Sequence, residues 1–558
     1  MGSEPLPWWK KTVVYQVYPR SFYDSNHDGI GDLRGIINKL DYIKNLGIET
    51  IWISPFYASP QSDVGYDISD YTAIAPEYGT MHVFDELLEE MHARGLKMVL
   101  DMVLNHTSDR HPWFLESRSS RDNPKRDWYV WRDGRKSNGK KPPNNWWSMI
   151  GGRGWHYDAR TDQWYWAQFL PFEPDLNYRN PEVREAMLDI VRFWMAKEVD
   201  GFRLDIVNAL FEDEGFRDNP YTLKMFPDDE DVSMLFHQLK YTLNHPDTIE
   251  FMKGLRKTID TFDARERFLV GEVEAGIKTH KDWLGKKGDG LNMIFQFQSL
   301  AAGHDALSYR RLIESYEKHL PEPCIPTWVF SNHDRMRRIS RYGGDLDKAK
   351  LNMALQLTVR GVPFIYYGEE IGMEQARLRV RQSMDPLASR FRWVPQFVFD
   401  WIRYWLKESV NRDECRTPMQ WDNCPNAGFC PPDIRPWLDV APSYHSRNVA
   451  DQDRDPASLL NTYRCFLKAR RQTPALNAGD ICILPECTDT LLAYARHADK
   501  DGAQQKALVY LNFGHGPEHI TLSEERYRFL VSTVSQRKAI FESGFDLAPG
   551  EAIVLVTP

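Results

Sequence analysis

The sequence predicts an α/β protein: a parallel (β/α)8 TIM barrel with an inserted subdomain after its third strand and a C-terminal antiparallel β-sandwich domain. Three observations carry this. Eight short runs rich in β-branched and aromatic residues alternate with stretches of helical periodicity. A segment dense in Trp, Asn, Gly and Arg interrupts the alternation after the third run. From about residue 479 the pattern changes to short alternating strands. Parallel neighbours need a crossover between them, and the intervening helical stretches supply it.

The strand candidates are TVVYQVYP (12–19), TIWISPF (50–56), KMVLDMVLNH (97–106), VDGFRLDIV (199–207), RFLVGEVE (267–274), NMIFQFQS (292–299), TWVFSNHD (327–334) and VPFIYYGEEIG (362–372). Helices are predicted over 36–47, 83–95 and 181–198. The last starts with proline and glutamate in its first turn and carries apolar residues three and four apart, as a helix packed on a barrel should. Residues 1–104 and 176–478 form the barrel in two parts, with a long loop region at about 374–455. Residues 105–175 form the insertion, too long for a simple loop, and 479–558 the C-terminal β-domain, with strands in ICIL, LLAYAR, ALVYLNF and AIVLV.

Bulk properties narrow the function. With 42% hydrophobic and 27% charged residues, the 558-residue chain is of the globular class with ample core. A formal charge of -9 and a pI near 6.0 argue against nucleic acid or an anionic membrane as partner. The start, MGSEPLPWWKK, lacks a secretory pattern and no long apolar run follows, so a cytoplasmic protein, a monomer or weak homo-oligomer, is expected. The seven cysteines are scattered without CxxC spacing and read as reduced thiols with no zinc site; a Cys424–Cys430 bridge is the alternative. Aromatic content is 13%, with 19 Trp and 25 Tyr, which suits a carbohydrate ligand as well as a large core.

In a barrel of this kind the site lies at the C-terminal ends of the strands. Polar residues gather there: Asn105 and His106 on the third candidate, Arg203 and Asp205 on the fourth, Glu272 on the fifth, His333 and Asp334 on the seventh. Side chains alternate along a strand, so Arg203 and Asp205 share one face of VDGFRLDIV and Phe202, Leu204 and Ile206 the other. Two charges in an apolar strand are accounted for if they belong to a pocket.

The motifs DMVLNH, GFRLD, GEVE and SNHD, in this order, together with EPDLN (173–177), resemble the conserved segments of the α-amylase family of glycoside hydrolases, family thirteen. YQVYPRSFYDSNHDGIGDLRGI is similar to the oligo-1,6-glucosidase and α-glucosidase branch. The resemblance implies a small α-glucoside as substrate, with Asp205 as nucleophile, Glu272 as general acid/base and Asp334 as the carboxylate that stabilises the transition state. A retaining glycosidase needs such a pair of carboxyl groups, one ionised and one protonated. Arg203 is expected to lower the pKa of Asp205, while an apolar wall or a carboxylate neighbour keeps Glu272 protonated.

The resemblance further implies that His106 and His333 hydrogen-bond the sugar. It places Asp67 of GYDISDY at the non-reducing end of the terminal glucose, paired with Arg412 or Arg416. Phe169 is expected to stack near the cleavage point. DSNHDGIGD supplies Asp24, Asn26, Asp28, the Ile30 carbonyl and Asp32 at alternate positions, as in the branch's structural Ca2+ or Mg2+ loop, although Gly35 stands where an EF-hand has its glutamate. No organic cofactor is implied.

Several positions depart from the branch. Glu173 stands where Gln or Met is usual, and Met336 where Pro is frequent. Arg335, Arg337, Arg338 and Arg341 crowd one loop, where arginines are most often solvated or ion-paired but resemble the basic residues near the aglycone site of sucrose isomerases. Residues 377–405 have no evident counterpart and are placed to shape a leaving-group site. Ile206 is closer in shape to the valine that accompanies α-1,6 activity. The leading expectation is a retaining exo-α-glucosidase; a sucrose-using glucosyltransferase or isomerase is the alternative, and a non-catalytic binding protein a remote one.

Overall fold

A computed structural model describes residues 6–557 apart from 136–138, 225–232, 235, 263–264, 407, 501–502, 523–525, 535–539 and 542. Eight parallel strands run β1 (Val14–Val17), β2 (Thr50–Ile53), β3 (Lys97–Val103), β4 (Gly201–Asp205), β5 (Phe268–Gly271), β6 (Met293–Ile294), β7 (Thr327–Val329) and β8 (Val362–Tyr366). Their hydrogen-bonded order is β6-β5-β4-β3-β2-β1-β8-β7. Between β6 and β7 side chains complete the ring. Gln296 N donates to Thr327 Oγ1 at 3.1 Å, and Thr327 Oγ1 donates to the Ile294 carbonyl at 3.0 Å.

The barrel strands are buried on both faces, which is why they read as nearly continuous apolar runs. Trp52, Val99, Phe268, Met293, Phe295 and Phe364 fill one core cluster, while Ile53, Leu100, Phe202 and Leu204 belong to the large cluster that includes the helices. The helix Pro181–Ala196 begins as expected: the Asn180 side chain accepts from Glu182 N, Pro181 opens the first turn, and Val183, Met187, Ile190, Val191 and Trp194 are buried. The stretch predicted as one helix over 36–47 is two, Leu33–Asn38 and Leu40–Leu46, broken at Lys39, whose backbone leaves helical geometry. Regular pairing also stops earlier than the apolar pattern suggests at β6, β7 and β8, where the chain turns into the loops that build the site.

After β3 the chain forms a three-stranded antiparallel sheet from Trp131–Arg132, Trp155–Asp158 and Gln163–Trp166, packed on its own tryptophan cluster of Trp146, Trp155, Trp164 and Trp166. At the C-terminal end, Leu491–Lys500, Ala503–Asn512 and Ala552–Val556 are the long central members of a six-stranded antiparallel sheet. A two-stranded ribbon, Glu518–Thr521 with Gly544–Leu547, shares a core with it through Ile520, Phe545 and Leu547.

Candidate active site

Strand register builds the centre of the site. Arg203 on β4 lies opposite Asp101 on β3 and Val270 on β5, and it shares a face with Asp205, as the alternation predicts. Its Nη1 is 2.8 Å from both Asp205 Oδ1 and Asp101 Oδ1, while Nη2 donates to Glu272 Oε2, just past β5. The guanidinium lies over the ring of Trp52, 5.0 Å from its centroid. Asp334 follows β7 and receives Arg416 Nη2 at 2.8 Å and Arg412 Nη1 at 3.2 Å. Asp205, Glu272 and Asp334 all line one cavity of about 520 Å³ at this end of the barrel.

The three carboxyl groups differ in charge state. Burial pushes Asp205 up to about 6, with Asp101 and Asp334 adding to it and Arg203 opposing. Arg203 lowers Asp205 as expected, but desolvation outweighs the ion pair and the net shift is upward. Burial raises Glu272 well above the usual carboxylate range, helped by Asp205, Asp334 and Glu274 against Arg203. For Asp334 burial works the other way from its neighbours, and the N–H of His333 with the charges of Arg412, Arg416 and Arg203 prevail, holding it well below that range. One pocket thus separates an acid from two carboxylates that are ionised at neutral pH.

His333 stands behind this wall and is not among the residues lining the cavity. Burial lowers it to about 3, so it is neutral. Gln16 Nε2 donates to Nδ1 at 2.8 Å, which leaves the ring proton on Nε2, facing Tyr66 Oη at 2.6 Å and Asp334 Oδ2 at 3.1 Å. Tyr66 stacks on the ring and itself lines the cavity. His333 therefore positions Tyr66 and Asp334.

The end of the cavity is closed by a different aspartate from the one expected. Arg412 Nη2 is 2.6 Å from Asp63 Oδ1 and 2.9 Å from Asp385 Oδ1, and Asp63 lines the cavity. The Asp67–Arg412 pair is not formed. Asp67 instead accepts from Ser59 Oγ at 2.9 Å, Ser62 N at 3.0 Å and Asp63 N at 3.0 Å, pinning the loop that presents Asp63. Arg416 is fully buried and serves Asp334 and the His333 carbonyl. Sequence reasoning missed Asp63, Tyr66, Asp101 and Asp385; the signal for Asp63 was DVGYD, two aspartates four apart, of which the wrong one was chosen.

His106 and Phe169 line the cavity, their rings 5.3 Å apart, and Glu173 lines it beside them. The arginine loop is not a solvated face. Arg337 and Arg338 are buried, donating to the carbonyls of Tyr367 at 2.8 Å and Leu300 at 3.0 Å, and Arg335 alone reaches the cavity. The unmatched stretch 377–405 does shape the site: it brings Asp385 onto Arg412, and Leu387, Arg390 and Phe391 into the cavity lining. Ile206, next to Asp205, also lines it, at φ +29°, a region β-branched residues avoid.

In the loop proposed for a cation, Asp24 accepts from His27 N at 2.7 Å and Gly29 N at 2.9 Å, and Asp32 from Ser25 N at 2.9 Å. Asn26 Oδ1 accepts from Asp28 N at 3.2 Å, and Asp28 Oδ1 from Ile30 N at 2.8 Å. The donor set is all oxygen, as a hard cation requires, but the oxygens are turned onto backbone N–H groups. Among the described residues no three His, Cys, Asp or Glu side chains converge into a metal-binding group. All seven cysteines are free, so the Cys424–Cys430 bridge is not formed.

A (β/α)8 barrel with three such carboxyl groups in one closed-ended cavity defines a barrel hydrolase or transferase of glycosides. Residues 16–479 match the family described as "Alpha amylase, catalytic domain", and the chain belongs to the α-amylase family. It is 41% identical over 504 residues to a probable alpha-glucosidase of Rhizobium meliloti (strain 1021), covering 88% of this chain and 87% of that one. With the oligo-1,6-glucosidase of Parageobacillus thermoglucosidasius it shares 37% identity over 98% of both chains. Among solved structures, the alpha-glucosyl transfer enzyme XgtA superposes with a TM-score of 0.85 at 36% identity, and the trehalulose synthase MutB from Pseudomonas mesoacidophila MX-45 with 0.87 at 34%, each covering 99% of this chain and all of the other.

Proposed function

We propose that the protein is a retaining, exo-acting α-glucosidase that removes terminal glucose from short α-glucosides. The observation that carries this is the convergence of Asp205, Glu272 and Asp334 on one cavity whose end is shut by the Asp63–Arg412 ion pair. A closed end admits the terminus of a chain and excludes its middle.

Asp205, ionised and aimed by Arg203, attacks the anomeric carbon as Glu272 gives its proton to the glycosidic oxygen; the C–O bond breaks and a glucosyl ester forms. Asp334, held ionised by the two arginines, faces the positive charge that develops on the ring. Glu272, now a carboxylate, takes a proton from water, whose oxygen attacks the same carbon and releases Asp205. If a sugar hydroxyl replaces water, the outcome is transfer. Incubation with maltose, isomaltose and p-nitrophenyl α-glucoside tests the reading; no glucose from any of them, with Asp205→Asn indistinguishable from wild type, sinks it.

A second reading, glucosyl transfer or sucrose isomerisation, is favoured by Arg335, Glu274 and Arg390 at the same cavity, which offer charged contacts to a polar leaving group, and by the likeness to XgtA and MutB. Isomaltulose or trehalulose formed from sucrose supports it; free glucose and fructose alone oppose it. A non-catalytic binding role is disfavoured because all three carboxyl groups are retained.

We further infer that the 24–32 loop takes Ca2+ or Mg2+, with Asp24, Asn26, Asp28, the Ile30 carbonyl and Asp32 as ligands once the exposed Asn26 and Asp28 side chains turn inward; the cation would fix the loop and take no part in the reaction. Among the described residues no helix is long and apolar enough to cross a membrane. We read the protein as cytoplasmic, a monomer or weak homo-oligomer, with neither nucleic acid nor membrane as partner, on its acidic charge and its unpaired cysteines.

A further inference from the structure

The long segment after β8 carries an apolar face that the fold leaves exposed. In the helix Gln396–Leu406 and the turn before it, Trp393, Phe397, Trp401, Tyr404 and Trp405 recur at steps of three and four residues, and each is 59–78% exposed. Phe399, on the opposite side of the helix, is buried with Val380 and Ala388 in a small cluster separate from the barrel core. The helix is thus apolar on two sides, and a helix of that kind is buried between two bodies. One of them is this chain.

The helix is fixed in place for a second contact. Arg403 donates to Glu414 in the turn that carries Arg412, the Gln396 side chain accepts from Val380 N at 3.1 Å, and its amide donates to Asp400 Oδ1 at 3.3 Å. Rings with two side-chain torsions on a fixed backbone lose little entropy on docking.

Size and composition select the second body. A Phe, Tyr or Trp offers about 150–250 Å², so five at this exposure present on the order of 700 Å². The largest apolar patch of an ordinary monomer is about 300–600 Å², whereas a specific protein interface takes about 800 Å² from each partner. Interfaces between copies of one chain are the more apolar kind, with centres rich in aromatic residues and poor in charge, as here. The polar flank of the helix is Gln396, Asp400 and Arg403, bonded to one another or to Glu414. It is neither the set of outward polar groups that holds the hydroxyls of a stacked sugar nor the lysine- and arginine-rich strip of a membrane-surface helix.

We infer that this face is the interface of a homodimer, the helix Gln396–Leu406 of one copy packed on the same helix of a second copy about a two-fold axis. Such an axis sets one face against itself, so the stripe of rings needs only to complement its own copy, and the assembly closes at two. Rings at four-residue steps form a ridge that packs beside its symmetry mate. The inference is independent of the α-glucosidase reading, since none of the five aromatic residues lines the catalytic cavity.

Sedimentation of the full-length protein from nanomolar to tens of micromolar tests it. The mass is expected to reach twice the 65.3 kDa of one chain. The double variant Phe397→Asp/Trp401→Asp should raise the dissociation constant at least about a hundredfold, because aromatic residues at the centre of an interface carry most of its energy and the new charges would be buried unpaired. Leu223→Asp, at an exposed apolar residue in the loop after β4, should leave that constant within about threefold of wild type. Hydrogen exchange of the unmodified protein at both ends of the concentration range does not depend on the variant folding, and protection should be gained across residues 393–405. A monomer at every concentration overturns the inference, also where it binds phosphatidylglycerol vesicles or a linear dextrin, which would give the face to a membrane or a polysaccharide. A dimer that the double variant, folded by its melting curve, does not weaken, or protection gained only elsewhere, overturns it equally.

Discussion

Arg203 Nη1 lies 2.8 Å from Asp205 Oδ1, two residues along the same strand, and the same guanidinium also reaches Asp101 on the strand to one side and Glu272 just past the end of the strand to the other. One planar group therefore registers three carboxyl groups, which a lysine cannot copy because its charge is a point and its donors are not held in a fork. Arg203→Lys is expected to lower kcat/KM on p-nitrophenyl α-glucoside by about 10²–10³, in the range found for removal of a preorganised electrostatic contact. Its thermal melting should also fall, since a buried pair broken on one side leaves the other charge uncompensated. Activity within tenfold of wild type would show that Asp205 is oriented by something else.

Asp63 and Asp67 lie four residues apart and do different work. Asp63 faces the cavity and Arg412; Asp67 is behind it, holding the Ser59–Asp63 backbone. Asp63→Ala should cut kcat/KM by about 10²–10³ through a buried arginine left partly unpaired and a lost contact to the sugar. Asp67→Asn should show mainly as lost stability, about 1–3 kcal/mol in denaturant unfolding, with kcat/KM of the folded enzyme within tenfold of wild type. Steady-state kinetics and melts on both variants separate the two; matching profiles would remove the distinction.

The barrel and the gathering of Asp205, Glu272 and Asp334 at one mouth were legible because they follow from local pattern, while the roles expected of them came from the family resemblance. Alternation set Arg203 beside Asp205, and the position of each motif at a strand end put it at the mouth. What was not legible depends on long-range packing. Nothing local tells that the loop of Arg337 and Arg338 folds inward onto carbonyl groups, because an arginine-rich loop has the same composition whether solvated or buried. Asp385 belongs to an irregular segment and meets Arg412 only through the tertiary fold. The net direction of the Asp205 shift was not legible for a related reason. The ion pair can be read from spacing, but the desolvation that outweighs it is a property of the whole pocket.

The 24–32 loop gives a prediction independent of catalysis. Asp24 and Asp32 are buried, and Asp32 is raised by burial first and by Asp24 among its neighbours, so a divalent cation would relieve that crowding. Calcium at a hundred times its dissociation constant is expected to add about 2.7 kcal/mol to unfolding, read as a rise of a few degrees in Tm over the chelator-treated protein. Asp28→Ala should abolish the rise without altering kcat. Identical melts in calcium and in chelator would leave the loop as a set of turns closed on its own backbone.

The pH dependence of kcat/KM follows from the separated carboxyl groups, and each limb can be moved by a neighbour. Asp205 attacks only when ionised; with its pKa near 6, activity should fall about tenfold per unit as pH drops below that value. Glu272 donates only when protonated, so activity should also fall as pH rises through its elevated pKa. Asp101 raises Asp205, so Asp101→Asn removes a negative neighbour, favours the ionised form and should shift the acid limb to lower pH. Glu274 raises Glu272, so Glu274→Gln should shift the alkaline limb to lower pH as well. The limbs are properties of the coupled set, which is why their displacement is the informative measurement. An acid limb unmoved by Asp101→Asn, or an alkaline limb unmoved by Glu274→Gln, would mean that the residue assigned to that limb is not the one whose proton the reaction uses.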